Sequence, residues 1–171
     1  MSDTATAAAD EANAPDGPGD QRVFLVVVDD TPEMKVALRY ASLRARRTGG
    51  RVALLRVIDK ADFQHWAAVG ALMREEARTA AEQLIQELAA IVVRISGQIP
   101  ILYIAEGDPK QVLLELIDGA PEIKILVLAA APGSNPGPLI SFLTKRNIGR
   151  LRIPVTLVPG GLSDGEIDAL T

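Results

Sequence analysis

Apolar positions along the chain form two patterns that take turns, continuous runs and helical stripes. The first run, Val23–Val28, is rich in β-branched residues and apolar at every position, which is typical of a buried strand in a parallel sheet. Thr31 as N-cap and Pro32 as first helical residue predict a helix start, and helical spacing continues until Gly49. The pattern therefore predicts a strand followed by a helix.

The same alternation continues through the rest of the chain. A long stripe from Val69 to Ile95 predicts one helix of roughly thirty residues, longer than most. Asp108 and Pro109 predict the start of the next helix, and a short helix is predicted through residues 139–148. Further strands are predicted at residues 52–58, 99–105, 123–128 and 155–158. Strands that alternate with helices indicate βαβ units and a parallel sheet with right-handed crossovers.

The two ends of the chain differ from its middle. Residues 1–20 are rich in Ala, Asp, Gly and Pro and carry no Lys or Arg, so we expect a disordered leader and no secretory signal. Residues 21–160 are expected to form one domain, and residues 161–171 a polar tail that lies loosely on the surface. No apolar stretch is long enough to span a bilayer, so we expect a cytoplasmic protein with no membrane partner.

Composition narrows the classes of function. The chain is 48% hydrophobic but only 4% aromatic, so its core must be aliphatic. A net charge of −4 argues against a nucleic-acid partner. The absence of Cys excludes thiol catalysis and thiolate metal sites, and the sequence contains neither a phosphate-loop motif nor a nucleophile elbow. We therefore predict no catalytic residue, and interpret the only histidine, His65, as a capping or packing residue with ligand contact as the alternative.

Candidate chemistry lies where parallel strands end, because open α/β sheets bind ligands outside those ends. Asp29 and Asp30 follow the first strand. They could hold a hard cation such as Mg²⁺, or one could accept hydrogen bonds from a base or sugar while the other caps the helix, or both could cap the turn. Ala129–Gly137 is small and glycine-containing, so its N–H groups could approach an anion. The basic residues nearest to this pocket are interpreted as a solvated surface: Lys145, Arg146, Arg150 and Arg152.

Five segments resemble the motifs of universal stress proteins. Val26–Glu33 resembles the opening pattern V-A-V-D-G-S-x-E, and Leu55–Asp59 resembles the second-strand ending L-H-V-x-D. Glu106–Pro109 is similar to the start of G-D-P-A-E-x-I. Ile125–Leu128 and Ile153–Val158 resemble the last two strands, L-I-V-L-G and C-P-V-L-V-V. Each motif alone is weak, but five in the right order are fairly specific.

The resemblance implies an α/β, Rossmann-like fold: a five-stranded parallel sheet in the order 3-2-1-4-5 with helices on both faces. It also implies a homodimer and, in many members, bound ATP or another adenine nucleotide, with which Mg²⁺ could bind. Asp29 and Val57 would flank the adenine, and Gly133 with Ser134 would hold phosphate. The candidate ligand-binding residues are Val27, Asp29, Asp30, Val57, Ala129, Gly133, Ser134 and Ser141. We expect the dimer to form through the last strand, because an outer strand has unpaired backbone groups.

The sequence departs from the family pattern at the phosphate end of the pocket. The glycine expected directly after the fourth strand is Ala129 or Ala130, and the later Gly-Ser or Gly-Thr pair falls near residues 141–144, which contain no glycine. Alanine adds a Cβ where the backbone must approach phosphate, and Pro132 and Pro136 remove N–H donors. The adenine half of the pocket is less affected by these changes.

Three hypotheses of function follow. The first is a stress-response dimer that binds an adenine nucleotide as a regulatory ligand, with at most slow ATP hydrolysis. The second is the same fold without the nucleotide, acting through protein contacts. The third is a phosphoreceiver domain, which needs an acceptor Asp after the third strand and a Lys after the fifth. Those places hold Ala105–Glu106 and Pro159–Gly160, so the third hypothesis is the weakest.

Overall fold

The computed structural model describes residues 21–60 and 70–171. Its five strands form one parallel sheet in the order β3-β2-β1-β4-β5, which confirms the predicted topology. The strands are β1 (Val23–Val28), β2 (Arg51–Ile58), β3 (Ile101–Glu106), β4 (Ile123–Ala130) and β5 (Val155–Pro159). The helices are α1 (Met34–Thr48), α2 (Gly70–Ser96), α3 (Pro109–Gly119), α4 (Pro138–Phe142) and α5 (Asp164–Leu170). A π-helical turn (Leu143–Asn147) and a 3₁₀ turn (Ile148–Arg150) follow α4.

The first strand lies at the centre of the sheet and is buried on both faces. Val26 pairs with Leu54 of β2 on one side and with Val127 of β4 on the other. Because side chains alternate along a strand, Val26 packs with α1 and α2 on one face, whereas Leu25 packs with α3 and α4 on the other. This position explains why β1 is apolar at every residue and has the predicted bounds.

The first helix begins later than predicted. Thr31 is not its N-cap: α1 starts at Met34, after Glu33, whose side chain makes no capping hydrogen bond. Both donors of Thr31, its N–H and its hydroxyl, bind the carboxylate of Asp29 instead. A local turn around Asp29 thus replaces the expected cap. The other end is as predicted, because Gly49 adopts a left-handed conformation with φ of 67°.

The long second helix is present, but only half of its predicted apolar face is buried. Leu72 is 59% exposed, whereas Leu88 and Val92 in the C-terminal half are buried. The helix has 27 residues and spans about 40 Å, whereas β2 with 8 residues spans about 26 Å. The first turns of α2 therefore extend beyond the sheet, where helical spacing no longer implies burial.

The C-terminal segment is a docked helix and not the loose tail that we expected. Ser163 and Glu166 form a capping box at the start of α5, and Ile167 is fully buried. The carboxylate of Asp168 accepts two hydrogen bonds from the guanidinium of Arg39 on α1, at 2.9 and 2.8 Å. The helix is thereby held against α1.

A smaller difference concerns the third strand. The strand β3 begins at Ile101, two residues later than predicted, and Ile99 is 72% exposed. Over residues 21–60 and 70–171, no helix combines the length and hydropathy that crossing a bilayer requires.

Candidate functional site

A cavity of about 220 Å³ opens at the carboxyl ends of β1 and β4. The strand order reverses at β1, since β2 and β3 lie on one side of it and β4 and β5 on the other. The crevice at such a reversal is where open α/β sheets bind ligands. The cavity is lined by Val27, Val28, Asp29, Thr31, Glu33, Met34, Ala37, Arg56, Val57, Pro109, Leu128, Ala129, Pro136, Gly137, Pro138, Leu139 and Ile140.

The walls of the cavity are mainly apolar and come from both faces of the sheet. Met34 and Ala37 of α1 contribute one side, and Leu139 and Ile140 of α4 the other. Val57 at the end of β2 is half-buried and belongs to the wall between them. A cavity with apolar sides and few polar groups suits a flat heterocyclic ring. In such sites the ligand is bound by burial of its apolar surface, and a small number of hydrogen bonds fix its orientation.

Asp29 is the polar residue whose position is best fixed. Its Oδ1 accepts a hydrogen bond from the N–H of Thr31 at 2.9 Å and another from the Thr31 hydroxyl at 2.5 Å. The side chain is half-buried in the cavity wall. The tight turn that leaves β1 therefore presents one carboxylate to the cavity in a defined orientation.

Asp30 points to a different partner from its neighbour. Its Oδ2 pairs with the guanidinium of Arg56 at 3.0 Å, and its side chain is 79% exposed. Arg56 also donates to the carbonyl oxygen of Val28 at 3.3 Å and thus crosses from β2 over the end of β1. Sequence reasoning missed Arg56, because nothing in its local pattern shows that it lies beside the turn after β1.

The two adjacent aspartates do not form a metal site with their neighbours. Asp29 accepts a hydrogen bond from Thr31, whereas Asp30 accepts one from Arg56, so the two carboxylates have different partners. Among the described residues, no group of three or more His, Cys, Asp or Glu side chains could hold a metal ion. Side chains of the described residues alone would therefore not complete a Mg²⁺ site, whose remaining oxygen ligands would come from water and phosphate.

The loop after β4 offers few backbone donors. Pro132, Pro136 and Pro138 have no N–H group. The N–H of Ala131 donates to the carbonyl of Pro136 at 3.3 Å, and that of Gly137 donates to the Asn135 side chain at 3.3 Å. Of residues 131–137, only Gly133, Ser134 and Asn135 therefore keep an N–H group that is free to contact an anion.

The structure brings together four of the eight predicted ligand-binding residues. Val27, Asp29, Val57 and Ala129 all line the cavity. Asp30 lies outside its wall, and Gly133 and Ser134 are exposed in the loop, outside the wall as well. Pro136 and Gly137, in the predicted segment Ala129–Gly137, also line the cavity, whereas sequence reasoning missed Pro138–Ile140 at the start of α4.

Ser141, the remaining predicted residue, lies in a second cavity. This cavity is lined by Lys110, Pro138, Ser141, Phe142, Lys145 and Asn147 and shares Pro138 with the first. The ammonium group of Lys110 lies 5.7 Å from the centre of the Phe142 ring. Lys145 is exposed, as expected for a residue of the solvated surface, and it also lines this second cavity.

Arg152 has a structural role that its sequence did not indicate. Its guanidinium donates to the carbonyl oxygens of Ile117, Ala120 and Ile123. These carbonyls belong to the end of α3 and the start of β4, where helical acceptors lack partners. His65 lies outside the described residues, so its predicted role stays a prediction.

Comparison with known proteins supports the class suggested by the fold and the site. A model of the universal stress protein family matches residues 21–159. No curated protein matches the chain in sequence. The chain belongs to the universal stress protein family.

Solved structures share the fold at low sequence identity. A universal stress protein UspA from Lactobacillus plantarum is 23% identical with a TM-score of 0.64, over 80% of this chain and 97% of that one. A universal stress protein from Archaeoglobus fulgidus in complex with dAMP is 16% identical with a TM-score of 0.53, over 81% and 97%. A third structure, of a universal stress protein in complex with cAMP, is 16% identical with a TM-score of 0.51, over 82% of this chain and 98% of that one.

Proposed function

We propose that this protein binds an adenine nucleotide as a regulatory ligand, with the base in the cavity at the ends of β1 and β4. The observation that carries the proposal is the position of this cavity at the reversal of strand order, with apolar walls and the fixed carboxylate of Asp29. Similar structures hold adenine nucleotides, dAMP in one and cAMP in another. We place the protein in the cytoplasm and assign it no nucleic-acid partner.

The size of the cavity suits a base with its sugar, and the loop after β4 favours one phosphate over three. Its volume of about 220 Å³ lies below the roughly 300–1,000 Å³ of most small-molecule sites. A base and a sugar therefore occupy most of the available space. In residues 131–137 the loop after β4 keeps only the N–H groups of Gly133, Ser134 and Asn135 free, which suits one phosphate better than three. Mg²⁺ is not part of the proposal, because the described residues form no group of three or more His, Cys, Asp or Glu side chains that could hold it.

Calorimetric titration with AMP, ATP and GMP tests the proposal. We expect AMP to bind more tightly than GMP or ATP. Ala129→Leu should abolish binding by filling the cavity, whereas Ala131→Leu, at a half-buried residue outside the wall, should leave it unchanged. Denaturing the purified protein should also release a bound adenine nucleotide, which mass spectrometry would identify.

The second candidate is the same fold acting through protein contacts alone. The observation that favours it is the donor-poor loop after β4, because a lost phosphate site is a step towards a lost ligand site. Under this alternative the purified protein carries no nucleotide, and neither AMP nor ATP raises its melting temperature. Those two results together would replace the first proposal by the second.

We also propose a homodimer through β5. Among the described strands, β5 pairs only with β4, so its outer edge has backbone groups without a strand partner, and Leu157 on it is 44% exposed. Sedimentation should show a dimer that Leu157→Asp converts to monomer. Leu170→Asp, at an apolar residue of α5 that is 62% exposed, should leave the dimer intact.

A further inference from the structure

The wall of the base cavity is poorly suited to hold an anion. Its charged side chains are Asp29, Glu33 and Arg56, and the positive charge of Arg56 is already paired with Asp30 at 3.0 Å. The remaining two carboxylates repel phosphate. The buried Nε–H of Arg56, which has no hydrogen-bond partner among the described residues, is a single donor against these two carboxylates. The balance of charge therefore disfavours a negatively charged group of the ligand in this cavity.

The loop after β4 does not offer the alternative that the family pattern suggested. Gly133 and Ser134 are exposed and lie outside the cavity wall. Three prolines and two internally bonded N–H groups, those of Ala131 and Gly137, leave the N–H groups of Gly133, Ser134 and Asn135, which are exposed. A phosphate bound by these three groups would lie outside the wall of the base cavity.

The second cavity adjoins the first and carries positive charge. Both are lined by Pro138, and Pro109 in the first wall precedes Lys110 in the second. Among the described residues that line the second cavity, the charged ones are Lys110 and Lys145. Within residues 21–60 and 70–171 neither lysine forms a salt bridge.

The surroundings of Lys110 keep its ammonium group available at the second cavity. It lies 5.7 Å from the centre of the Phe142 ring, which attracts a cation through its π-electrons. The acid nearest in sequence, Asp108, uses its Oδ1 to cap α3 by accepting from two backbone N–H groups, each at 3.0 Å. Ser141 and Asn147 add neutral polar groups to the same wall.

From this geometry we infer that Lys110 and Lys145 form the phosphate subsite of the nucleotide site. The inference rests on the proposed binding of an adenine nucleotide. It replaces recognition by backbone N–H groups of the loop with recognition by two ammonium groups of α3 and of the π-helical turn. Such point charges attract phosphate without fixing its geometry, so one phosphate suffices as ligand.

Paired titrations with AMP and adenosine test the subsite, since the two ligands differ only in the phosphate. The wild type should bind AMP roughly tenfold more tightly, which corresponds to one charge-assisted contact. Lys110→Gln combined with Lys145→Gln should reduce AMP affinity to that of adenosine and leave adenosine affinity unchanged. The control Lys35→Gln with Arg47→Gln removes the same charge from exposed positions of α1 and should change neither affinity.

The outcomes separate the subsite from the site. Equal affinities for AMP and adenosine in the wild type would overturn the subsite while the base site stands. A loss of AMP affinity in Ser134→Ala, but not in the double lysine variant, would return the phosphate to the loop. Failure of both ligands to bind the wild type would overturn the proposed function, and the subsite with it. Because none of the substituted lysines is buried, melting temperatures of all variants should agree.

Discussion

The two turns that border the base cavity are held in different ways. The turn after β1 is fixed by a side chain, since Asp29 binds both donors of Thr31. The loop after β4 is fixed mainly by its backbone, through prolines and the bond from Ala131 to Pro136. The first arrangement leaves a carboxylate at the cavity, whereas the second occupies the N–H groups of Ala131 and Gly137 within the loop. The comparison shows that a side chain sets the geometry of one turn, whereas backbone bonds and prolines set that of the other.

One residue outside both turns connects them. The N–H of Gly160 donates to the carbonyl oxygen of Ala130 at 2.8 Å, at the end of β4. A Cβ at position 160 would lie 2.5 Å from that oxygen and 2.6 Å from the Cβ of Glu33, in the turn region before α1. The spacing of the two turns therefore depends on a glycine that follows the last strand.

Gly160→Ala should have the largest effect on this arrangement. The added methyl group collides with backbone and with Glu33, so we expect a loss of about 2–3 kcal/mol in the free energy of unfolding. Urea denaturation measures it. Gly161→Ala is the control, because a Cβ there meets no atom within 4 Å, and its effect should stay within about 0.5 kcal/mol. Equal effects of the two substitutions would mean that position 160 is not tightly packed.

Asp29→Ala should have an intermediate effect on stability, and it changes only the turn after β1. It removes two hydrogen bonds to Thr31, so we expect a loss of about 1–2 kcal/mol in unfolding free energy and a folded protein. Affinity for AMP should fall by roughly tenfold in calorimetry, because the fixed carboxylate is lost from the cavity.

The neighbouring carboxylate provides the control for Asp29. Asp30→Ala removes a largely exposed ion pair with Arg56, which contributes at most about 1 kcal/mol, and lies outside the cavity wall. It should not weaken AMP binding, because it removes no group of the cavity wall and frees the positive charge of Arg56. If both substitutions weaken AMP to the same extent, the assignment of Asp29 as the recognising carboxylate is wrong.

The smallest expected effect concerns the helix α5, which packs against α1 through the pair of Arg39 and Asp168. Hydrogen bonds from the backbone and side chain of Ser163 lower the pKa of Glu166 from its ordinary value of 4.5. A carboxyl group with a lower pKa in the folded state stabilises the fold above its unfolded pKa, and this contribution is lost as the pH falls through the folded pKa. Glu166→Gln should therefore flatten part of the decrease in urea midpoint from about pH 5 to about pH 3.

The control for this pH profile is Glu87→Gln on the exposed side of α2. It removes one carboxylate without touching the capping box of α5. A profile of Glu166→Gln that coincides with the wild type would contradict the role of the capping box in the acid range.

Much of the fold could be predicted because neighbouring residues determine it. The run of β-branched residues predicted β1 with its observed bounds, and Gly49 predicted the end of α1. The helix α5 was missed, although Ser163 and Glu166 at capping-box spacing, followed by Ile167, carried the signal. The predicted start of α1 was wrong because both donors of Thr31, its N–H and its hydroxyl, bind the carboxylate of Asp29.

The candidate site was predictable only in part. The positions of Val27, Asp29 and Val57 follow from strand ends, which local patterns identify, and all three line the cavity. Gly133 and Ser134 were predicted from a motif, but a motif does not give the path of a loop, and both lie outside the wall.

By itself, the sequence determined the strands, most of the helices and the family, because hydrophobic periodicity and turn residues act over a few positions along the chain. Only the tertiary structure decided that Arg56 meets Asp30, that Gly160 separates the two turns, and that the cavity of Lys110 adjoins that of Asp29. These contacts join residues far apart in the chain, and their geometry depends on strand register and loop path. Local patterns contain no information on either.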